Sequence, residues 1–178
     1  MSEQEIRLKV DEVLRETEMI SIPIEIVAIA NFYGFRVYEI PMDDNVSGMI
    51  ISDKENIKNF DTNKIIVVNA NHAQTRKRFT VAHELGHYIL QGQPQECYAH
   101  RDSGVYSGSE KDANSFASAL LMPEKDVLNE IEQLKSIYGN ISNSVIEANI
   151  ANKFNVSKSA ADVRIKKLML FKEENPCP

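Results

Sequence analysis

The sequence predicts an α+β fold in which helices surround one small sheet. Apolar residues recur with helical spacing near the N-terminus and through most of the second half of the chain, and short β-branched segments lie between them. The 178 residues are 43% hydrophobic, with no repeat and no long linker rich in Pro, Gly or Ser. This composition can bury a substantial core, so we expect one domain spanning residues 1–178.

The N-terminal helices and the sheet are predicted within residues 1–74. Helical spacing covers Glu3–Glu16 and then Pro23–Tyr33, where Pro23 suits a first helical position and Gly34 suits a stop. Segments rich in β-branched or aromatic residues then predict a mostly antiparallel three-stranded sheet. Its strands are Phe35–Ile40, Ser47–Ser52 and Lys64–Asn69.

The next helix is predicted over residues 75–91, with Gly92 as its stop. Its core-facing stripe follows helical spacing and consists of Val81, Leu85, Tyr88 and Ile89. The basic run Arg76–Arg78 opens this helix, which is at odds with the positive helix dipole there. We therefore expect one of these three side chains to have a carboxylate partner.

A metal site is predicted on this helix by the run from His83 to His87, which also contains Glu84. Residues four apart stand one above the other on a helix, so both imidazoles can reach one cation. Glu84 then faces the same cleft and can take a proton from a water molecule that the ion activates. The pattern is typical of a metalloprotease, with His83 and His87 as ligands and Glu84 as catalytic base.

A third ligand is expected from a later helix, since catalytic zinc normally has three protein ligands. Leu90 and Gln93 stand where one group of zinc proteases has a glycine and a third histidine, so that solution is excluded. A helix over residues 110–122 has an apolar stripe, and Glu110 lies on its buried side. Glu110 is the preferred third ligand, and His100, Asp102 and Asp112 remain alternatives. Zinc is the expected metal, although Mn²⁺ and Fe²⁺ accept the same ligands.

Supporting groups are expected around the site. The segment Gln93–Ser109 is long for a loop, and long loops are often functional. Its side chains could donate to the oxyanion of the reaction, the candidates being Tyr98, His100, Arg101 and Tyr106. Asn114 could orient a histidine ligand through the second ring nitrogen.

The C-terminal part, residues 124–170, is predicted to be helical. Two helices, Val145–Phe154 and Lys158–Met169, flank a turn in which Ser157 can cap the second. This pattern resembles a helix-turn-helix, so DNA binding is the rival hypothesis. Few basic residues lie where base contacts would be made, and the net charge of −6 counts against a general nucleic-acid binder. We expect a structural or substrate-docking role and no direct nucleic-acid contact.

The motifs together resemble the ImmA/IrrE family of gluzincin-type metallopeptidases. The resemblance rests on Arg78–Leu90, on Glu110–Pro123, and on Ile65–Asn69 and Phe154–Ser157. It implies a zincin-like fold, His83, His87 and Glu110 as metal ligands, and Glu84 as base. It also implies site-specific cleavage of helix-turn-helix repressors, which relieves repression of mobile-element, phage or stress-response genes. The alternative is a non-catalytic, metal-containing module that binds the repressor or DNA.

The surroundings of the protein are also predicted. The N-terminus has no basic and apolar signal pattern, and no apolar run reaches about 18 residues, so we expect neither secretion nor membrane insertion. Cys97 and Cys177 make no disulfide framework, and a cytoplasmic location fits.

In zincins an edge strand pairs with the extended substrate, and Ser47–Ser52 or Lys64–Asn69 is the expected strand.

Overall fold

The computed structural model describes residues 1–52, 62–92, 98–101 and 108–174, with the backbone alone for strand residues 98–101 and for residues 170–174. Within these ranges the chain forms seven helices and four strands. The helices are α1 (Glu3–Thr17), α2 (Ile26–Phe32), α3 (Gln74–Gln91), α4 (Gly108–Leu121), α5 (Glu124–Tyr138), α6 (Asn143–Phe154) and α7 (Lys158–Glu174). The strands are β1 (Arg36–Ile40), β2 (Val46–Ser52), β3 (Lys64–Asn69) and β4 (Tyr98–Arg101). The predicted α+β class is confirmed.

The four strands form one mixed sheet in the order β1-β3-β2-β4. β1 pairs with β3 in parallel, whereas β2 pairs antiparallel with both β3 and β4. The sheet is therefore mostly antiparallel as predicted, but it has a fourth strand that comes from the segment expected to be a loop. Among the described strands β2 and β3 are interior and β1 and β4 are the edges, so the edge-strand prediction was wrong.

The burial of each strand explains its place in the sheet. Residues Ile65–Asn69 of β3 are all buried, which suits a strand covered on both faces. β1, at the edge, has no fully buried residue. In β2 the buried residues alternate, with Gly48, Ile50 and Ser52 facing inward.

The helices before the sheet depart slightly from the sequence pattern. α1 begins with a capping box in which Ser2 and Glu5 satisfy each other's backbone amides. α2 begins at Ile26 rather than at Pro23, so the predicted start was wrong. The reason is a long-range contact: Ile24 is fully buried, and its carbonyl accepts a 2.8 Å hydrogen bond from Arg78. This tertiary contact holds the residues before Ile26 outside the helix.

The basic run at the start of α3 connects that helix to the sheet, to the segment before α2 and to the α6–α7 turn. Lys77 forms the expected ion pair, with its Nζ 2.6 Å from Glu39 of β1. Arg76 donates to the hydroxyl of Ser47 on β2 at 2.9 Å. Arg78 is buried and donates to the carbonyls of Ile24 and Asn155. These contacts fix the start of α3 against the sheet and against the α6–α7 turn.

Two arginines anchor the C-terminal helices. Arg78 reaches the carbonyl of Asn155, which has the left-handed conformation that ends α6. Ser157 then caps α7, as predicted, by accepting from the amide of Ala160 at 3.1 Å. Arg164 of α7 is buried and donates to the carbonyl of Met122 after α4, and burial lowers the pKa of Arg164 to about 10. This guanidinium stays charged at neutral pH and joins α7 to α4.

Across residues 1–52, 62–92, 98–101 and 108–174, none of the helices combines the length and apolar character that crossing a membrane requires.

Gly48 provides a test of the contact between the sheet and α3. A Cβ added at Gly48 would lie 2.5 Å from the carbonyl oxygen of Val67 and 2.5 Å from Cγ2 of Thr80. The carbonyl oxygen of Val67 belongs to the backbone of an interior strand, so it cannot move away without disturbing the sheet. Gly48→Ala should therefore lower the free energy of unfolding by about 1–3 kcal/mol. Urea denaturation measures this change.

The matched control is Gly108→Ala, since a Cβ at Gly108 meets nothing within 4 Å. We expect that variant to unfold at the urea concentration of the parent protein or slightly above it. Equal stability of the two variants would contradict the tight contact at Gly48.

Candidate metal centre

The centre begins with two histidines on successive turns of α3. His83 and His87 are 7% and 8% exposed, and their Nε2 atoms lie 3.1 Å apart. Their rings meet edge to face at 79°, with centroids 4.7 Å apart. Helical spacing therefore brings the two Nε2 atoms to one point, as predicted.

Glu110, in the first turn of α4, brings a carboxylate to the same point. Its Oε2 lies 3.3 Å from Nε2 of His83, and its Oε1 lies 3.2 Å from Nε2 of His87. One ligand atom from each of the three residues can be chosen so that all lie within 4.8 Å of one another. The three side chains thus converge on one place between α3 and α4.

Close packing of α3 against α4 makes this convergence possible. Gly86 lies between the two histidines in sequence, and a Cβ there would lie only 3.1 Å from Phe116 and 3.2 Å from the backbone of Ala113. Ala113 and Ala117 are fully buried small residues on α4. The helices approach closely because these positions carry little or no side chain.

The three donor atoms fit a metal ion. Donors bound at about 2.1 Å in tetrahedral geometry lie about 3.4 Å apart. The two Nε2 atoms are 3.1 Å apart, and each lies 3.2 or 3.3 Å from one of the two oxygens of Glu110, which is close to that separation. Two imidazole nitrogens and a carboxylate are a ligand set that zinc accepts, and Mn²⁺ and Fe²⁺ accept it as well. The group could therefore hold a divalent ion.

Two amides contact the histidines from the outer side. Oδ1 of Asn114 lies 3.0 Å from Nδ1 of His83, in the position predicted for an orienting residue. The carboxamide nitrogen of Gln91 lies 2.9 Å from Nδ1 of His87. A half-turn of that carboxamide would bring its oxygen there to accept from an Nδ1–H group. Gln91 was not predicted, although its place four residues after His87 could have indicated it.

Glu84 follows His83 directly and is fully buried. The residue after it, Leu85, is fully buried as well, and His83 before it is 7% exposed. A carboxylate placed in such surroundings is uncommon unless it has a role, because burial penalises the charged form. Glu84 is thus a buried carboxylate next in the chain to one of the two histidines.

The comparisons with known proteins agree with this arrangement. Residues 33–166, which are most of the chain, match peptidase family M78, described as the IrrE N-terminal-like domain. The chain belongs to this family. It is thus a metallopeptidase, and its zincin-like α+β fold agrees with the fold predicted from the sequence. A search of curated proteins found none that matches it.

The other candidates of this M78 peptidase lie apart from the centre or outside the described part. Oδ2 of Asp112 lies 2.9 Å from the N-terminal amino group of Met1, and Asp112 is not among the converging residues. Tyr98, His100 and Arg101 belong to β4, whose side chains are not described. Asp102 and Tyr106 lie outside the described residues. The oxyanion donor therefore stays a prediction.

Replacing Glu110 tests the third ligand of this M78 peptidase. Glu110→Ala should weaken zinc affinity by more than about 100-fold, because even outer partners of metal ligands are worth about 10–100-fold. Competition with a chromophoric chelator measures the affinity. Asp112→Ala is the matched control, since it removes a carboxylate from the same turn of α4 and should leave zinc affinity unchanged. Equal affinities would exclude Glu110 as a ligand.

Replacing Asn114 tests the orientation of His83. Asn114→Ala removes the acceptor for Nδ1 and should weaken zinc affinity by about 10–100-fold. Asn114→Asp keeps an oxygen at the same place and should retain most of the affinity. Ser118→Ala, one turn further along α4, is the control. A similar loss in Asn114→Asp would show that the amide acts in some other way.

Proposed function

We propose that this M78 peptidase is a zinc-dependent, site-specific endopeptidase that cleaves a helix-turn-helix transcriptional repressor. The observation that carries the proposal is the buried carboxylate of Glu84, next in the chain to His83, together with the convergence of His83, His87 and Glu110. A site that served only to stabilise the fold would not need a carboxylate in that position. Cleavage would relieve repression of mobile-element, phage or stress-response genes, in the cytoplasm.

The roles of the residues follow from their positions. His83, His87 and Glu110 would hold the ion, which when bound would polarise the scissile carbonyl and lower the pKa of a water molecule. Glu84 would take a proton from the water whose oxygen attacks the carbonyl carbon. The same carboxyl group would then deliver that proton to the amide nitrogen as the peptide bond breaks.

The contacts around the histidines support this division of roles. With Nε2 of each ring directed at Glu110, each Nδ1 would carry the proton. Asn114 can accept from Nδ1 of His83, and Gln91 can do the same for His87 after its carboxamide turns. Both rings would then be held in the tautomer that leaves Nε2 free to bind metal. An oxyanion donor would come from Tyr98, His100 or Tyr106.

The charges of the C-terminal helices favour a peptidase over a DNA-binding module. Among the described side chains of α7, Lys166 lies 2.8 Å from Asp162 and Lys158 lies 3.9 Å from Glu147. Lys167 contacts Glu3 of α1, and Arg164 is buried against the carbonyl of Met122. A helix that binds DNA uses its cationic side chains to contact the phosphates. In α7 these four cationic side chains instead contact carboxylates or a carbonyl of the protein itself. The net charge of −6 instead suits a basic protein partner, as a DNA-binding repressor is.

Cleavage of a candidate repressor tests the function. The zinc-loaded protein should make one defined cut in the helix-turn-helix repressor encoded beside its gene, detected by intact mass. Glu84→Gln should reduce the rate by more than about 100-fold while keeping its zinc, because it removes only the proton acceptor. A chelated sample of the parent protein should be inactive.

Each contrary result has a definite meaning. Cleavage by Glu84→Gln at the parent rate would exclude the proposed mechanism. Tight binding of the repressor without any cut would favour the non-catalytic module that sequesters it. If the repressor is neither cut nor bound, it is excluded as the substrate. Cleavage of casein at many sites would exclude narrow specificity.

A further inference from the structure

A groove lies between the start of α3, the middle of α4 and the first turns of α7. Its volume is about 730 Å³, within the range of about 300–1,000 Å³ that is usual for binding pockets. Its walls include Phe79 of α3, Asn114 and Ser118 of α4, and Val156, Ala160 and Val163 at the α6–α7 turn and along α7. The helix-turn-helix-like segment thus forms one side of it.

The groove adjoins the metal centre through two of its walls. Asn114 lines the groove and contacts Nδ1 of His83 at 3.0 Å. Phe79 lines it too, and the centroid of its ring lies 6.4 Å from that of His83. A group lying in the groove would therefore be separated from a histidine of the centre by a single side chain.

The lining is mainly apolar and indicates the chemistry of the occupant. Phe79, Val156, Ala160 and Val163 contribute hydrocarbon, and Val163 is 61% exposed although it is apolar. No lining residue is acidic, and the polar groups of the lining come from Thr75, Arg76, Asn114, Ser118, Ser157 and Ser159. The hydrocarbon part of this surface stabilises an uncharged apolar group by removing it from water.

We infer that this groove is a specificity site for an apolar side chain of the polypeptide substrate, close to the bond that is cut. The inference rests on the proposed peptidase function and deepens it. The α6–α7 segment then serves substrate selection, since Val156, Ala160 and Val163 shape the groove opposite the metal-binding helices. The side chain of Val163 can be altered with little effect on the core, because most of it is exposed.

Two neutral peptide hydroxamates are suitable probes, one with a leucine side chain beside the hydroxamate and one with glycine there. Both bind zinc through the hydroxamate, so the ratio of their dissociation constants isolates the side chain. On the zinc-loaded full-length protein, calorimetry should show leucine binding at least about tenfold more tightly, as expected when a side chain of that size leaves water.

Substitutions then locate the effect. Val163→Asp places a charge in the groove and should reduce the preference for leucine to below about threefold. Val145→Asp is the matched control, because Val145 is an exposed valine of α6 that does not line the groove, and it should keep the parent preference. Ser118→Leu narrows the groove from the opposite wall and should also remove the preference, which provides a second test if Val163→Asp does not fold.

The outcomes separate this inference from the function on which it rests. If neither hydroxamate binds the parent protein, the zinc centre and the proposed function fail. If both bind with equal affinity, the centre stands and the specificity site is excluded. A leucine preference that survives in both Val163→Asp and Ser118→Leu would place the apolar site elsewhere on the protein and overturn the inference.

Discussion

The close approach of α3 and α4 is the constraint on which the rest of the structure depends. The two histidines stand on one helix and Glu110 on the other, so the donor atoms meet only if the helix axes come close. Gly86, lying against Ala113 and Phe116, permits that approach. The sheet and the remaining helices then hold this pair in place: α1 and α7 pack against α4, while the sheet supports α3.

Much of the centre could be predicted because it depends on spacing within single helices. His83 and His87 are four residues apart, and the stripe of α4 indicated which side of that helix Glu110 would occupy. Their meeting required only that two apolar stripes pack together. Gln91 was overlooked because its contact is with the outer nitrogen of His87, and the motif itself draws attention only to the inner face.

The errors arose where distant residues decide the local structure. Four residues, Tyr98–Arg101, form a strand because β2 offers them a partner about 50 positions earlier in the chain, and nothing in their own pattern indicates it. Similarly, the parallel pairing of β1 with β3 joins segments that have β2 between them in sequence. The start of α2 depends on a hydrogen bond from Arg78 to the carbonyl of Ile24. The secondary-structure propensities of the local residues cannot predict such contacts.

The two contacts of Arg78 bear on the order in which parts of the structure form during synthesis. Its guanidinium binds carbonyl groups of residues 54 positions earlier and 77 positions later. A growing chain that has reached only α4 already contains all three converging side chains, yet it lacks Asn155 and the turn that follows. Arg78 of α3 then lacks one of its two carbonyl partners, and the groove lacks the wall that the α6–α7 turn and α7 provide. In this order of synthesis the groove is completed last, after the three converging side chains are already present.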